Sequence, residues 1–290
     1  MSVTIKSEKG VLYHLENIDR RLIYVILFIA TAVPLIRPIG LPLSCGEHAT
    51  ALYKFIDGIE PGSTIVWSWD YSASTKPECQ PQGVATSYHA MKRDINVVFL
   101  ALWIDGAIFA DECLREIYKI PAGMPTDEHP DYGVKFINLG YIAGGGPSVT
   151  TMATDLHSLV KYDHYGNALE DLPLAKGIMG FKDVDLIISL TTGGPGIWQW
   201  WEFVRVPYGT PLGAVGTGVQ IAGVAPLYPT DLVGYLGGLR GAAEYEFLVR
   251  RPGTAAAGMD AQALAHLTIV LFVVIGNITY LSKRFRRTGR

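Results

Sequence analysis

The chain has 290 residues, and its 24 Lys and Arg against 27 Asp and Glu leave a formal net charge of −3, with only 18% of residues charged. That balance offers no basic face, so nucleic acid is excluded as an expected partner. The mean hydropathy of +0.23 points instead to apolar segments beyond what one soluble core requires.

A tail over residues 1–21 carries Lys6, Lys9, Arg20 and Arg21 and is expected in the cytoplasm. The run that follows, Leu22 to Ile36, is apolar, and "PIGLPL" continues it beyond Arg37, which can snorkel to the headgroups. It is read as a first transmembrane helix over 22–39. A cleaved signal peptide is the competing reading, opposed by the late basic pair and by the lack of a small-x-small cleavage site.

Residues 40–260 then alternate short apolar runs with amphipathic stretches, the pattern of βα units around a mostly parallel sheet. "STIVWSWD" (63–70), "NVVFLALWID", "VKFINLGYI" and "VDLIISLTT" are predicted strands. Helices are predicted to follow them to Asp94, over 107–118, over 147–160 and over 197–204. "PLGAVGTGVQIA" is predicted as a fifth strand, and "LVGYLGG" leads into "LRGAAEYEFLVRR". Repeated βα units connect by right-handed crossovers and cover both sheet faces, so the expected fold class is α/β, an open, mostly parallel, doubly wound (Rossmann-like) sheet between two transmembrane helices. Irregular insertions at 119–132 and 161–180 are expected as surface loops.

From Ala261 to Ser282 the chain has no Asp, Glu, Lys or Arg, long enough for a second transmembrane helix over 261–282. The tail 283–290, "KRFRRTGR", holds five basic residues and no acid. Short basic tails beside both spans place both termini in the cytoplasm and the α/β domain outside it, in a multi-pass protein of the cell membrane. Cys45, Cys79 and Cys113 lack metal-type spacing, and they read as buried small apolar side chains.

Two glycine-rich stretches fall where strands should hand over to helices: "GYIAGGGPSVTTM" (140–152) and "SLTTGGPGIW" (189–198). In a doubly wound sheet the carboxyl ends of the strands face the usual ligand crevice. The candidate ligand-binding residues are therefore Asp70 and Asp105 at the ends of the first two strands, Gly144, Gly145, Gly146, Ser148 and Thr150 after the third, and Thr191, Thr192, Gly193 and Gly194 after the fourth. Amides and hydroxyls at a helix start suit an anion, and paired carboxylates suit a cation or proton transfer. Equally, the glycines make tight corners and the two aspartates cap helices or satisfy turn amides.

No G-x-x-x-x-G-K-[ST] or G-x-S-x-G occurs, and "GTGVQI" has Ile221 where a dinucleotide fingerprint needs its third glycine. The seven histidines form no H-E-x-x-H, so no metal is expected. No cofactor is expected either, and no catalytic residue is assigned. His266 stands near the outer end of the second span. Trp67 and Trp69 share a strand face with Ile65 and Tyr71, while "WQWWEFV" (198–204) is broader than one helix face requires. Gly237, Gly238, Gly241, Ala242 and Ala243 leave a smooth surface for close packing, within the chain or against a neighbouring subunit.

"DYGVKFINLGYIAGG", "GNALEDLPLAKGI", "YGTPLGAVGTGVQIAGVAPLYP", "LVGYLGGLRGAAEYEFLVRRPG" and "GMDAQALAHL" resemble a group of prokaryotic membrane-anchored α/β proteins without an assigned activity. The resemblance implies the architecture and a prokaryotic source, and it carries over no site residue. The expected function is that of a membrane-anchored binding or assembly subunit of a homo-oligomeric or larger complex, with the lipid bilayer, further copies or other membrane subunits as partners. The alternative is a membrane-anchored sensor or enzyme that binds a small anionic ligand at the strand carboxyl-terminal rim; enzymatic activity is the less expected of the two.

Overall fold

A computed structural model describes residues 19–288, with side chains described to residue 281. Most of the tail expected at 1–21, and residues 289–290, lie outside the described residues. The chain divides into two compact units, Pro42–Ala256 and a second one that combines the described residues up to Leu41 with those from Ala257 onward.

The first unit is α/β. Its strands are β1 (Thr64–Asp70), β2 (Asn96–Ala101), β3 (Phe136–Tyr141), β4 (Leu186–Thr191), β5 (Leu212–Gly216) and β6 (Gly234–Gly237). They form one sheet in the order β3-β2-β1-β4-β5-β6, and every pairing is parallel. The open parallel α/β sheet expected from the βα alternation is thus present. The order reverses between β1 and β4, which places the topological switch point there.

Its helices are α2 (Glu47–Asp57), α3 (Lys76–Lys92), α4 (Gly106–Ile117), α5 (Gly146–Thr154), α6 (Leu156–Leu159), α7 (Pro173–Lys176), α8 (Ile197–Trp200), α9 (Val206–Tyr208), α10 (Gly218–Val224) and α11 (Gly238–Leu248). In the second unit, α1 spans Arg20–Ile36; α12 starts at Thr254, on the α/β side of the boundary, and runs to Thr288.

The sheet is buried on both faces, as a parallel sheet must be. Ile65, Trp67, Trp69 and Tyr71 share one core with Ala49, Leu52 and Ile56 of α2, Cys79 of α3, Phe109 and Cys113 of α4, and Tyr245 of α11. The strand face predicted for the tryptophan pair is therefore real, and Cys79 and Cys113 are buried, unpaired thiols. Val66, Leu100, Ile137, Ile187 and Ala214 point the other way, toward Val149 and Met152 of α5, Ile197 and Trp200 of α8, and Ile221 of α10. Gly83 of α3 exists for close approach, since a Cβ there would lie 2.5 Å from Cη2 of Trp69. The small-residue stretch is used inside the chain: Gly241, Ala242 and Ala243 are buried, with α11 packed on α3 and β6.

Several predicted boundaries move for local reasons. The predicted fifth strand stops at Gly216, because Thr217 caps a helix by accepting from Gln220 N with its hydroxyl (3.3 Å), so "GVQIAGV" is helical. The helix predicted over 147–160 breaks at Asp155, whose extended backbone and carboxylate restart it as α6, with Ser158 N donating at 2.9 Å. The helix predicted over 197–204 continues through a π-helical turn at Trp201–Arg205 into α9. The two insertions are pinned: Tyr132 Oη donates to Asp163 (2.5 Å), while Tyr165 Oη and Thr126 Oγ1 donate to Asp111 at 2.6 and 2.5 Å.

In the second unit the expectation of two transmembrane helices is met in part. Among the described residues one helix, Thr254–Leu281, is long and apolar enough to cross a bilayer. The helix predicted over 22–39 ends at Ile36, because Pro38 forces Arg37 out of helical geometry (φ −137°, ψ 98°). At 17 residues α1 reaches about 26 Å, short of a hydrocarbon core of roughly 30 Å. Its apolar side chains are nonetheless exposed almost all round, as are those of α12. Ile23 and Leu27 of α1 and Thr268, Ile269, Phe272 and Val273 of α12 line one groove of about 270 Å³. The buried Asp260 carboxylate accepts from the backbone N–H groups of Ile39 and Gly40, both at 2.8 Å, and of Leu41 at 3.0 Å. The carboxyl end of α1 is thereby tied to the amino-terminal part of α12, and the two helices run antiparallel.

Candidate functional site

The switch point between β1 and β4 is where a doubly wound sheet opens its crevice. Asp70 closes β1 there, in register with Thr191 of β4, and Ser68 lies two residues back on the same face, in register with Ser189. Alternation along the strands thus gathers one carboxyl and three hydroxyls on an otherwise apolar face.

Asp70 is only 1% exposed. Its carboxyl accepts from Ser68 Oγ (2.6 Å) and from Leu102 N (2.7 Å), with Ser189 Oγ at 3.5 Å. The fully buried indole of Trp200 lies beside it, and its N–H draws the carboxyl toward the charged form without reaching hydrogen-bond geometry to any group. Among the described residues no Lys, Arg or His pairs with Asp70. Burial therefore outweighs the donors and pushes the carboxyl up from 3.8 to about 7. It holds or releases a proton near neutrality, and it links the carboxyl ends of β1, β2 and β4.

Asp105 stands apart in character. It is half-buried at the start of α4, and its side chain makes no capping hydrogen bond. The two aspartates therefore do not act alike, and among the described residues no three His, Cys, Asp or Glu side chains gather around a cation-sized space.

The first glycine turn is built for a tight corner. Gly144 and Gly145 have φ of +108° and +57°, and a Cβ on Gly144 would lie 2.2 Å from Ser148 Oγ. The hydroxyls it presents are engaged with its own backbone: Ser148 Oγ donates to Ala143 O (2.5 Å), Thr150 Oγ1 to Gly146 O (3.0 Å) and Thr151 Oγ1 to Pro147 O (3.1 Å). Gly146 abuts the Phe203 ring. In the second turn Thr191 Oγ1 donates to Gly193 O (3.1 Å), and Gly196 N donates to Oε1 of Gln199 (2.7 Å). Thr192 is half-buried, and Gly193 and Gly194, ahead of the cis Gly194–Pro195 bond, have open space at their Cβ positions.

The turn after β5 is filled from within. Gln82 of α3 both accepts from Gly216 N (3.0 Å) and donates to Gly216 O (2.9 Å), and the Glu78 carboxylate accepts from Gly218 N (3.3 Å). An anion at that turn would have to displace the chain's own carboxylate.

The sequence did not mark out the apolar side chains that edge this rim. Trp103, Ile104 and Ile108 follow β2, Tyr141 ends β3, Trp198 follows β4 and Val219 follows β5, and all are exposed, Ile104 by 68% and Val219 by 90%. Trp103, Ile104, Tyr141 and Val219 fall in predicted strands and Ile108 and Trp198 in predicted helices, so the one sequence signal was the breadth of "WQWWEFV" around Trp198. Cationic charge is scarce: within 70–76, 101–106, 141–151, 191–199 and 216–220 the one base is Lys76, which pairs with Glu112, and Arg240 beyond β6 pairs with Glu244. A rim of this kind suits an apolar or neutral surface better than an anion. Comparison with known proteins finds no family model and no curated protein that matches this chain.

Proposed function

We propose that the chain is a membrane-anchored protein in which α12 crosses the bilayer, α1 inserts beside it as a second, shorter span, and the α/β unit acts as a binding or assembly subunit of a homo-oligomeric or larger membrane complex. The observation that carries this reading is the antiparallel pair of exposed apolar helices tied by Asp260. Two helices that expose large apolar side chains almost all round have no stable place in water. Tilt or local thinning of the bilayer offsets the few ångströms that α1 lacks. The basic tails put both termini in the cytoplasm and the α/β unit on the other side.

The apolar rim at Trp103, Ile104, Tyr141 and Trp198 supplies a surface for a protein partner. Nothing comparable favours a small anionic ligand there, since the hydroxyls of Ser148, Thr150, Thr151 and Thr191 are bonded to backbone and the nearby bases are paired. The test is topology. In intact cells an added protease should cut within 40–260 and spare an epitope at the carboxyl terminus, and the chain should stay with membranes through alkaline carbonate washing. Release by carbonate, or cleavage of the epitope with 40–260 intact, refutes the reading.

A further inference from the structure

α12 turns about 100° per residue, so side chains at related spacings share a stripe. His266 and Asn277 are eleven residues apart, about 20° from three full turns, and Gln262 precedes His266 by about 40°. The side of α12 that meets α1 carries Thr268, Ile269, Phe272 and Val273, which line the groove with Ile23 and Leu27. It also carries Ala261 and Thr279, both buried. Thr268 and Thr279 lie two residues beyond His266 and Asn277, about 200° around, so the stripe of Gln262, His266 and Asn277 lies outside the buried contact with α1 and flanks the open edge of the groove.

The two sides treat their polar groups differently. Toward α1, the hydroxyls of Thr268 and Thr279 donate to the helix's own carbonyls, Leu264 O (2.7 Å) and Gly276 O (2.9 Å). Along the stripe Gln262, His266 and Asn277 are exposed, and among the described residues their side chains have no hydrogen-bond partner. Gly276, beside Asn277, has open space around it. A bilayer supplies no donor or acceptor to such groups, so a lipid-facing amide and imidazole are costly where they stand. α1, the other apolar helix of this unit, leaves these three side chains exposed.

We propose that this stripe is the contact through which α12 pairs with α12 of a second copy of the chain, an inference that rests on the membrane-anchored reading above. Copies of one protein insert with the same topology, so their α12 helices run parallel about a two-fold axis, which brings Asn277 of one copy to Asn277 of the other. A carboxamide both donates and accepts, so the pair satisfies itself across the axis, as Gln262 and His266 do one turn apart nearer the outer surface. Gly276 lets the backbones approach closely at that level.

The test uses the full chain, labelled separately with donor and acceptor fluorophores and reconstituted together in phosphatidylcholine vesicles, with flotation of the same vesicles as a second readout. Wild type is expected to float and to transfer energy in a manner that falls with dilution in lipid. Asn277→Leu should weaken association about tenfold, Asn277→Gln should retain it, and Thr268→Val on the opposite side should leave it unchanged. Vesicles that float without energy transfer overturn the pairing while leaving the membrane reading intact, as does an Asn277→Leu, His266→Leu double variant that associates like wild type. A chain that fails to float overturns both.

Discussion

Replacing Asp70 by Asn tests the central electrostatic feature of the switch point. The native carboxyl is raised from 3.8 to about 7 because burial outweighs its three hydrogen-bond donors and the nearby Trp200 N–H. A tenfold change in proton affinity is worth about 1.4 kcal/mol, so ionising this group in the folded state costs on the order of 4 kcal/mol. Below pH 4 both folded and unfolded chains hold the proton and no penalty exists. Between pH 4 and 7 only the folded state holds it, so this group's contribution to stability falls by about 1.4 kcal/mol per pH unit, and it levels off above about pH 8. Asn cannot ionise. Its Oδ1 still accepts from Leu102 N, and the Ser68 and Ser189 hydroxyls can rotate to accept from its amide. The variant should match wild type, or fall about 1 kcal/mol below it, at pH 4, and exceed it by a few kcal/mol at pH 8. All six tryptophans lie within the α/β unit, so their fluorescence during urea denaturation of the detergent-solubilised full chain follows that unit. A variant-minus-wild-type difference that stays flat from pH 4 to 8 would show that water reaches this carboxyl, and the account of the site would fall.

Asp260→Ala removes the acceptor of three backbone N–H groups and should destabilise the pairing of α1 with α12 by about 3 kcal/mol; a disulfide engineered between positions 27 and 272 should then form markedly more slowly in membranes, and an unchanged rate would refute the tie. His89 is held below the ordinary histidine range by burial, against the pull of Asp57 and with Arg93 adding to the effect, while its Nδ1 meets Tyr245 Oη at 2.9 Å. It is therefore buried neutral, and its contribution is complete above about pH 6.5 and lost as the pH falls below that; His89→Gln should remove this part of the acid-side loss measured by denaturation midpoints between pH 7 and 5. Gly83→Ala gains about 1 kcal/mol of helix propensity but drives a methyl group against the Trp69 ring, and overpacking of about 1–3 kcal/mol should prevail, seen as a lower urea midpoint.

The sequence by itself determined whatever depends on local pattern. β-branched and aromatic runs such as "TIVWSWD" form strands in this setting, amphipathic stretches between them form helices, and their alternation leads to a parallel sheet covered on both faces. An uncharged run of 22 residues likewise marked the bilayer-length helix. Local pattern was less decisive where one residue's capping changed the outcome, as at Thr217, where a hydroxyl turned the end of an apparent strand into a helix, and at Pro38, which cut α1 short. Only the tertiary structure decided the strand order, and with it which strand ends meet. It separated Asp70 from Asp105, alike in sequence as acids after a strand, into a buried carboxyl among hydroxyls and a half-buried one with no capping bond. It also showed that the hydroxyls of Ser148, Thr150, Thr151 and Thr191 are engaged with backbone, that Gln82 and Glu78 fill the turn after β5, and that α1 leaves the His266 and Asn277 side chains of α12 exposed. The physical reason is common to all of these. Burial, and the partners available to a polar group, depend on residues distant along the chain, whereas periodicity and capping are set within a few residues of the group itself.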